Sequence, residues 1–203
     1  MELCDKYLHE CIRLSPTMND FLKYDKYNHL RHIQRNHFKE NYDKKFSRLF
    51  DKYLDLLNRK KERTFYDENL HRGLLYSKRV NKYDFTDYLP LSSMDNIFYN
   101  IPSLIQGEMY FEIKTNKDID DLVTRLKVIP EITKTVIELM KKGIRKGVTM
   151  YKDSLELLID NLQNILKNRS YVFKKKIHGH KLLNDMIQKY YVHSLEVLLL
   201  FLV

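Results

Sequence analysis

The sequence is poor in residues that interrupt helices. Of its 203 residues only five are glycine and four are proline, the two strongest breakers of helices. Alanine and tryptophan do not occur at all. Hydrophobic residues make up 43% and charged residues 31% of the chain, a balance that fits a globular protein and excludes wholesale disorder. The composition therefore predicts a folded, mostly helical chain.

The absence of alanine also bears on the base composition of the gene. Alanine codons are rich in G and C, whereas the codons of the abundant Asn, Lys, Ile and Tyr are rich in A and T. We therefore expect an AT-rich genome, such as that of a large DNA virus or a protist.

Cysteines and long apolar runs are scarce as well. Cys4 and Cys11 would lie about 10 Å apart along one helix, at about 1.5 Å per residue, which is too far for a disulfide. Two unpaired thiols favour a reducing compartment. The longest apolar run, residues 197–203, is far shorter than the about 20 residues of a membrane span, and the N-terminus lacks the apolar stretch of a signal peptide. We expect a cytoplasmic protein, in the host cytoplasm if the gene is viral.

The motifs of common catalytic sites are missing. Neither the GxSxG pattern of a nucleophilic serine nor the glycine-rich phosphate loops GxxxxGK and GxGxxG occur. His9 and Glu10 begin an HExxH-like string, but Arg13 stands where the second zinc-binding histidine is needed. We predict no catalytic residue, no metal site and no cofactor.

Two groups of histidines are weaker candidates for metal binding. His29, His32 and His37 lie within nine positions, and His178 and His180 flank a glycine. Neither group has a cysteine or a clear second pair of ligands beside it. The favoured interpretation is a polar loop in both places, and a weak metal-binding site is the alternative.

The stretch 115–147 is the most regular part of the chain. Thr115 followed three residues later by Asp118 has the form of a capping box. Apolar residues then recur at helical spacing on both sides of Pro130, a residue that ends one helix and suits the first turn of the next. Gly143 and Gly147, with basic residues around them, predict the end of the second helix. We expect a helical hairpin with one apolar face.

Apolar periodicity predicts further helices outside this hairpin. They cover residues 1–14, 36–60, 65–83, 151–168 and 181–203, and 94–106 can hold only short helices because of a proline. The segment 17–36 has no clear period and is predicted as loop with a short turn of helix. Thr64 and Asp67 form a second capping box at the start of 65–83, where Leu70, Leu74, Leu75 and Tyr76 are predicted toward the core.

The hairpin also carries a resemblance to a known family. Arg125-Leu126, Pro130, Gly143 and Gly147 resemble the RL…lP…GixxG pattern of domain-of-unknown-function family eight-eight-five. Upstream, Tyr88 and Pro90 belong to a segment similar to that family's YLPLxxM. The family consists of large, all-helical proteins that look like zinc metallopeptidases. Their zinc motif lies in a C-terminal half that this chain does not contain, so the resemblance implies a fold and no activity.

We therefore predict an all-α fold, a single domain of about six or seven helices. Residues 1–168 would form the part that resembles the family's N-terminal half, and 169–203 a divergent basic segment with an apolar C-terminal helix. The predicted function is that of a truncated or degenerate relative of this family without catalytic activity of its own.

The alternative is a helical interaction module. The net charge is +9, which suits an acidic partner, and the apolar tail 198–203 suits a protein partner. Nucleic acid is the weaker choice. One side of the predicted helix 36–60 carries the basic residues Lys44, Lys45, Arg48 and Lys52. Three aspartates reduce the positive charge of this side: Asp43, Asp51 and Asp55. Fifteen tyrosines could stack on bases, yet many occupy core positions.

Overall fold

A computed structural model describes residues 2–39, 41–81, 87–94, 96–108, 111–169, 171, 173 and 180–203. The α-helices are α1 (Leu3–Leu14), α2 (Met18–Leu22), α3 (Asn41–Arg59), α4 (Phe65–Asn81), α5 (Ile97–Ile105), α6 (Asn116–Leu126), α7 (Ile129–Arg145), α8 (Lys152–Lys167), α9 (His180–Ile187) and α10 (His193–Leu202). A 3₁₀ helix, Asp25–Leu30, follows α2, and a π turn, Gln188–Val192, joins α9 to α10. No strand occurs in these ranges, so the predicted all-α fold is confirmed. Since α9, the π turn and α10 form one continuous helix, the described ranges hold nine helices, slightly more than predicted.

Both capping boxes are present. The hydroxyl of Thr115 accepts from the amide of Asp118 at 3.3 Å, and the carboxylate of Asp118 accepts from the amide of Thr115 at 2.7 Å. Thr64 and Asp67 exchange the same two bonds at 3.2 and 2.8 Å. Pro130 lies in the first turn of α7, as its fixed φ and missing amide hydrogen favour. The helix starts predicted from local chemistry are thus confirmed.

Two hydrophobic clusters hold the helices together. The N-terminal cluster joins α1, α3 and α4 through Cys11, Leu49, Phe50, Tyr53, Leu54, Leu57 and Leu74. The main core joins α5 to α10, with residues such as Phe98, Leu122, Ile132, Leu158 and Tyr191 fully buried. The site described below lies where α2 and the 3₁₀ helix meet α5 and α6.

The C-terminal helix belongs to the main core. It packs against α6, α7 and α8, and the π turn directs the buried Tyr191 toward α5, where its hydroxyl donates to the carbonyl of Phe98 at 2.7 Å. Burial raises the pKa of Tyr191, so this hydroxyl keeps its proton. Leu198 is buried, whereas Leu200 and Val203 are exposed. The proposed boundary at 168/169 stays a prediction.

The long helix α3 starts at Asn41, five residues later than predicted. Asn36 is buried, and its side chain donates to Thr135 Oγ1 at 2.9 Å and accepts from the amide of Phe38 at 3.1 Å. Phe38 itself packs against the main core. These contacts with α7 replace the helical turn that the periodicity predicted.

The burial predicted for α4 is wrong at two positions. Asp67 and Leu74, seven residues and about two turns apart, mark its buried side, while Leu75 and Tyr76 are exposed. Leu75 points about 100° away from Leu74 and Tyr76 about 200° away. The predicted helical end at residue 83 lies outside the described residues.

Among the described residues no helix combines the length and apolar character needed to cross a bilayer.

Acid is expected to weaken the start of α4. Lys60 donates to the Asp67 carboxylate, as do the amide and hydroxyl of Thr64, and these bonds lower the pKa of Asp67 to about 2. An unfolded aspartate has a pKa of about 3.9. The bonds therefore stabilise the fold fully above about pH 4, and this stability is lost as the pH falls toward 2.

The measurement is urea unfolding of the wild type and of Asp67→Asn between pH 6 and 2.5. The wild type should be the more stable at pH 6, and the difference should narrow as the pH falls. Asp120→Asn, an exposed change on α6, should follow the wild type throughout. A difference between wild type and Asp67→Asn that is constant with pH would contradict this account.

Candidate functional site

A buried ion pair ties the N-terminal segment to α6. The Arg125 side chain is only 2% exposed. Its Nη1 donates to Asp20 Oδ2 at 2.5 Å and its Nη2 to Asp20 Oδ1 at 2.9 Å, the two-pronged geometry that suits guanidinium and carboxylate. Its Nε donates to the carbonyl of Arg31 at 2.6 Å. One side chain thus holds α2, the residue after the 3₁₀ helix, and α6.

A second pair lies beside the first. Arg31 pairs with Asp118 and donates to the carbonyl of Glu112. Its guanidinium lies 4.0 Å from the ring centre of the fully buried Phe111, and that of Arg125 lies 4.6 Å from the same centre. Cations over an aromatic face are attracted by its quadrupole, so Phe111 supports both arginines.

Asp118 of the capping box also belongs to this network of ion pairs. Burial alone would raise the pKa of Asp118, but hydrogen bonds from the amides of Lys114 and Thr115, from the Thr115 hydroxyl and the charge of Arg31 outweigh it and lower the pKa. Asp118 is therefore ionised at neutral pH and serves both as helix cap and as partner of Arg31.

A pocket opens beside the Asp20–Arg125 pair. Its volume is about 340 Å³, within the usual range for sites of small organic ligands. The apolar part of its wall consists of Phe21, Phe38, Ile97, Ile101, Leu104, Phe111, Leu126 and Ile129. The polar part consists of Thr17, Asp20, Gln34, His37, Asn96, Asn100 and Arg125. This arrangement of apolar walls with a few polar groups is typical of small-molecule sites.

The polar groups of the pocket carry no net charge. Asp20 and Arg125 neutralise each other. Burial, with a smaller contribution from Arg35, lowers the pKa of His37, so its ring is neutral at pH 7 and offers one donor and one acceptor. Asn96 is already used as the cap of α5, accepting from the amide of Phe98 at 3.0 Å. The pocket therefore suits an uncharged molecule better than an ion.

A second cavity of about 670 Å³ lies on the other side of Asp20, between the 3₁₀ helix and the start of α6. Its walls are charged, but cations and acids alternate there. Lys117 pairs with Asp121 at 2.9 Å, and Arg31 pairs with Asp118. We assign no function to this cavity, because its charges already satisfy each other.

The structure does not gather the histidines singled out in the sequence. His37 lines the pocket, whereas His29 lies against Tyr27 with 6.4 Å between ring centres. His9 has its Nε2 2.7 Å from Lys26 Nζ. In the described part of the chain, no three His, Cys, Asp or Glu residues lie close enough to hold a metal ion. The pair at 178 and 180 lies outside the residues whose side chains are described.

The two cysteines are unpaired. Burial is the main cause that raises the pKa of Cys11 and also of Cys4, with nearby carboxylates adding to the rise at Cys4. Both thiols are therefore protonated at neutral pH and poor nucleophiles.

The residues of the family-like pattern occupy packing positions. Gly143 of α7 lies under the backbone of Tyr88, and a Cβ at this position would be 2.7 Å from the carbonyl oxygens of both Tyr88 and Val148. Gly147 has φ = +71°, the left-handed conformation that ends many helices. Pro90, two residues after Tyr88, is buried.

The remaining pattern residues lie close to the pocket. Leu126 is buried in the main core and Arg125 forms the ion pair with Asp20, both lining the pocket. Sequence reasoning missed Asp20 and Phe111 as members of the site. Asp20 is 105 residues from Arg125 along the chain, and no local pattern marks it as the partner.

Comparison with known proteins adds no relative. No protein-family model, curated protein or solved structure matches this chain. The resemblance of Arg125, Pro130, Gly143 and Gly147 to the family pattern stays a prediction.

Proposed function

We propose that this chain is a helical binding module without catalytic activity of its own. It would be a relative of the N-terminal half of domain-of-unknown-function family eight-eight-five, and it would bind a small uncharged ligand in the pocket beside Arg125. The observation that carries this proposal is the 340 Å³ pocket with apolar walls and a neutral ion pair at its polar end.

The family relation is supported by what the pattern residues do. Gly143 allows the segment at Tyr88 to approach α7, so the two sequence segments of the pattern are in contact. Arg125 carries the ion pair to Asp20. Residues with such packing roles account for the pattern without any catalytic step, in agreement with a relative that lacks the family's zinc motif.

The ligand class follows from the charges of the wall. An anion would have to compete with the Asp20 carboxylate for Arg125, and a cation would have to compete with Arg125 for Asp20. A neutral molecule needs neither exchange and can use the donor and the acceptor of the neutral His37 ring and the amide oxygen of Gln34, whose nitrogen already donates to the carbonyl of Arg35 at 3.2 Å. Its apolar body would fill the space between α5 and α6.

The test uses two matched probes, 4-fluorophenylacetamide and 4-fluorophenylacetate, followed by ¹⁹F NMR line broadening. The neutral amide should bind at millimolar or lower concentration, and the carboxylate should bind more weakly. Leu104→Trp, which adds a large ring to the pocket wall, should abolish amide binding. Leu157→Trp, the same change at an exposed position of α8, should leave it intact.

Two results would overturn the proposal. One is amide binding that persists in Leu104→Trp, which would place the probe elsewhere. The other is stoichiometric zinc in the purified chain together with hydrolysis of unstructured peptides, which would contradict a non-catalytic module.

A further inference from the structure

The outward face of α4 is aromatic. Phe65, Tyr66 and Tyr76 are 76%, 63% and 69% exposed, although large rings are usually at least half-buried. At about 100° per residue, Phe65 and Tyr76 point to nearly the same side of the helix. They lie about 16 Å apart along its axis, at about 1.5 Å per residue. We call the strip from Phe65 through Tyr76 to Arg79 the α4 face.

Arginines interleave with these rings. Arg72 lies one turn before Tyr76, and Arg79 lies nearly one turn after it, both exposed. Within the described ranges neither arginine has an ion pair. Gly73 adds no side chain to the middle of the face, and nothing lies within 4 Å of where its Cβ would be.

The two acids of α4 differ in position, since Asp67 lies on the buried side and Glu68 lies on the α4 face one turn before Arg72. Asp67 points inward, where it bonds to Lys60 and Thr64, and Glu68 pairs with Arg63 at 3.3 Å. The α4 face therefore presents aromatic rings and positive charge, and its one carboxylate, that of Glu68, is already paired with Arg63.

The basic side of α3, which the sequence suggested as a surface for nucleic acid, differs from the α4 face because several of its charges are paired. Lys52 pairs with Glu10 at 2.6 Å and Arg59 pairs with Asp55 at 2.8 Å. Asp51 is engaged by Lys78 from the edge of α4, also at 2.6 Å. Because these charges cancel locally, the stretch of α3 from Asp51 to Arg59 offers little attraction for a polyanion.

We propose that the α4 face binds single-stranded nucleic acid. Phe65 and Tyr76 would stack on bases, while Arg72 between the two rings and Arg79 beyond Tyr76 would neutralise phosphates. Interleaved rings and cations are the means by which proteins bind single strands without sequence preference. A duplex hides its base faces, so it would gain only the phosphate contacts. An anionic membrane would need a continuous apolar face, which the two arginines interrupt.

The experiment measures binding of the full chain to fluorescein-labelled 20-nucleotide oligo(dT) by anisotropy, from 50 to 300 mM NaCl. Affinity should fall as salt rises, because phosphate binding releases counterions. Tyr76→Ala should weaken binding roughly tenfold at each salt concentration without changing the salt slope. Arg72→Gln and Arg79→Gln should each reduce the log–log slope by about 0.7, the value for one phosphate on a single strand.

Matched controls lie outside α4, at the start of α8 and the end of α7. Tyr151→Ala and Arg145→Gln change an exposed tyrosine and an exposed arginine outside the α4 face and should leave both affinity and slope within twofold of the wild type. All five positions are exposed, so the variants should fold, which circular dichroism checks. Leu104→Trp should bind oligo(dT) normally, which separates this test from that of the pocket.

Four outcomes would overturn the proposal. They are absence of binding at 50 mM NaCl, a 20-base-pair duplex bound as tightly as oligo(dT), control variants as weak as Tyr76→Ala, and phosphatidylserine vesicles that compete fully for the same face. Support would come from weaker oligo(dT) binding only in the variants of the α4 face. Tyr76→Ala should then keep the salt slope of the wild type, and Arg72→Gln and Arg79→Gln should reduce it.

Discussion

Replacing Asp20 with alanine is expected to lower the free energy of unfolding by about 3–5 kcal/mol, the usual cost of removing one partner of a buried ion pair. Arg125 would remain in the interior with its charge uncompensated, since its side chain is only 2% exposed. The contact between α2 and α6 would weaken at the same time, because Arg125 of α6 binds Asp20 of α2. Urea unfolding followed by circular dichroism at 222 nm measures the change.

Two further variants test the cause. The double variant Asp20→Ala/Arg125→Met should recover part of the loss, because no buried charge is left. Asp120→Ala removes an exposed carboxylate of α6 and should change stability by less than about 0.5 kcal/mol. A loss below about 1 kcal/mol for Asp20→Ala would show that the pair is not buried in solution.

Adding one methyl group at Gly143 is expected to cost about 1–3 kcal/mol, and adding one at Gly73 is expected to stabilise the protein. The Cβ of Gly143→Ala would lie 2.7 Å from two carbonyl oxygens. Both belong to the backbone, so the Tyr88 segment or the end of α7 must move, and such overpacking is destabilising. Gly73 lies inside α4 with open space around it, where alanine is better than glycine by about 0.5–1 kcal/mol.

The two variants form a matched pair, because each adds the same atoms to a helix. Thermal unfolding should give a lower melting temperature for Gly143→Ala and a higher one for Gly73→Ala than for the wild type. A melting temperature of Gly143→Ala at or above that of the wild type would show that the close approach at Tyr88 does not exist in solution.

The stability variants also bear on the proposed ligand. Asp20 forms part of the pocket wall, so Asp20→Ala should disturb amide binding as well as stability. Gly143 does not line that pocket, and Gly73 lies exposed on α4, outside it. A Gly73→Ala protein should therefore bind the neutral probe as the wild type does.

Local sequence was sufficient where the chemistry is local. The capping boxes at Thr64 and Thr115, the break at Pro130 and the helix end at Gly147 all follow from hydrogen bonds or backbone angles within a few residues. The all-α class follows from the scarcity of glycine and proline and from the helical period of the apolar residues. These predictions did not need to know what any helix packs against.

Tertiary structure decided everything that depends on distant partners. Asn36 bonds to Thr135 and so ends up outside α3, and Tyr76 is exposed because only one narrow side of α4 meets α1 and α3. The same holds for charge. Lys52 and Arg59 of α3 meet carboxylates of α1 and of α3 itself, whereas Arg72 and Arg79 meet none within the described part of the chain.

The pocket shows most clearly which features follow from the sequence and which follow from packing. Arg125 could be singled out from its pattern in the sequence, but its partner Asp20 lies 105 residues away. Hydrogen bonds across such separations depend on how helices pack, and one sequence carries no periodic or spacing signal for them. The sequence by itself therefore determined the helices and their ends, while packing determined which polar groups were brought together and which surfaces were left open.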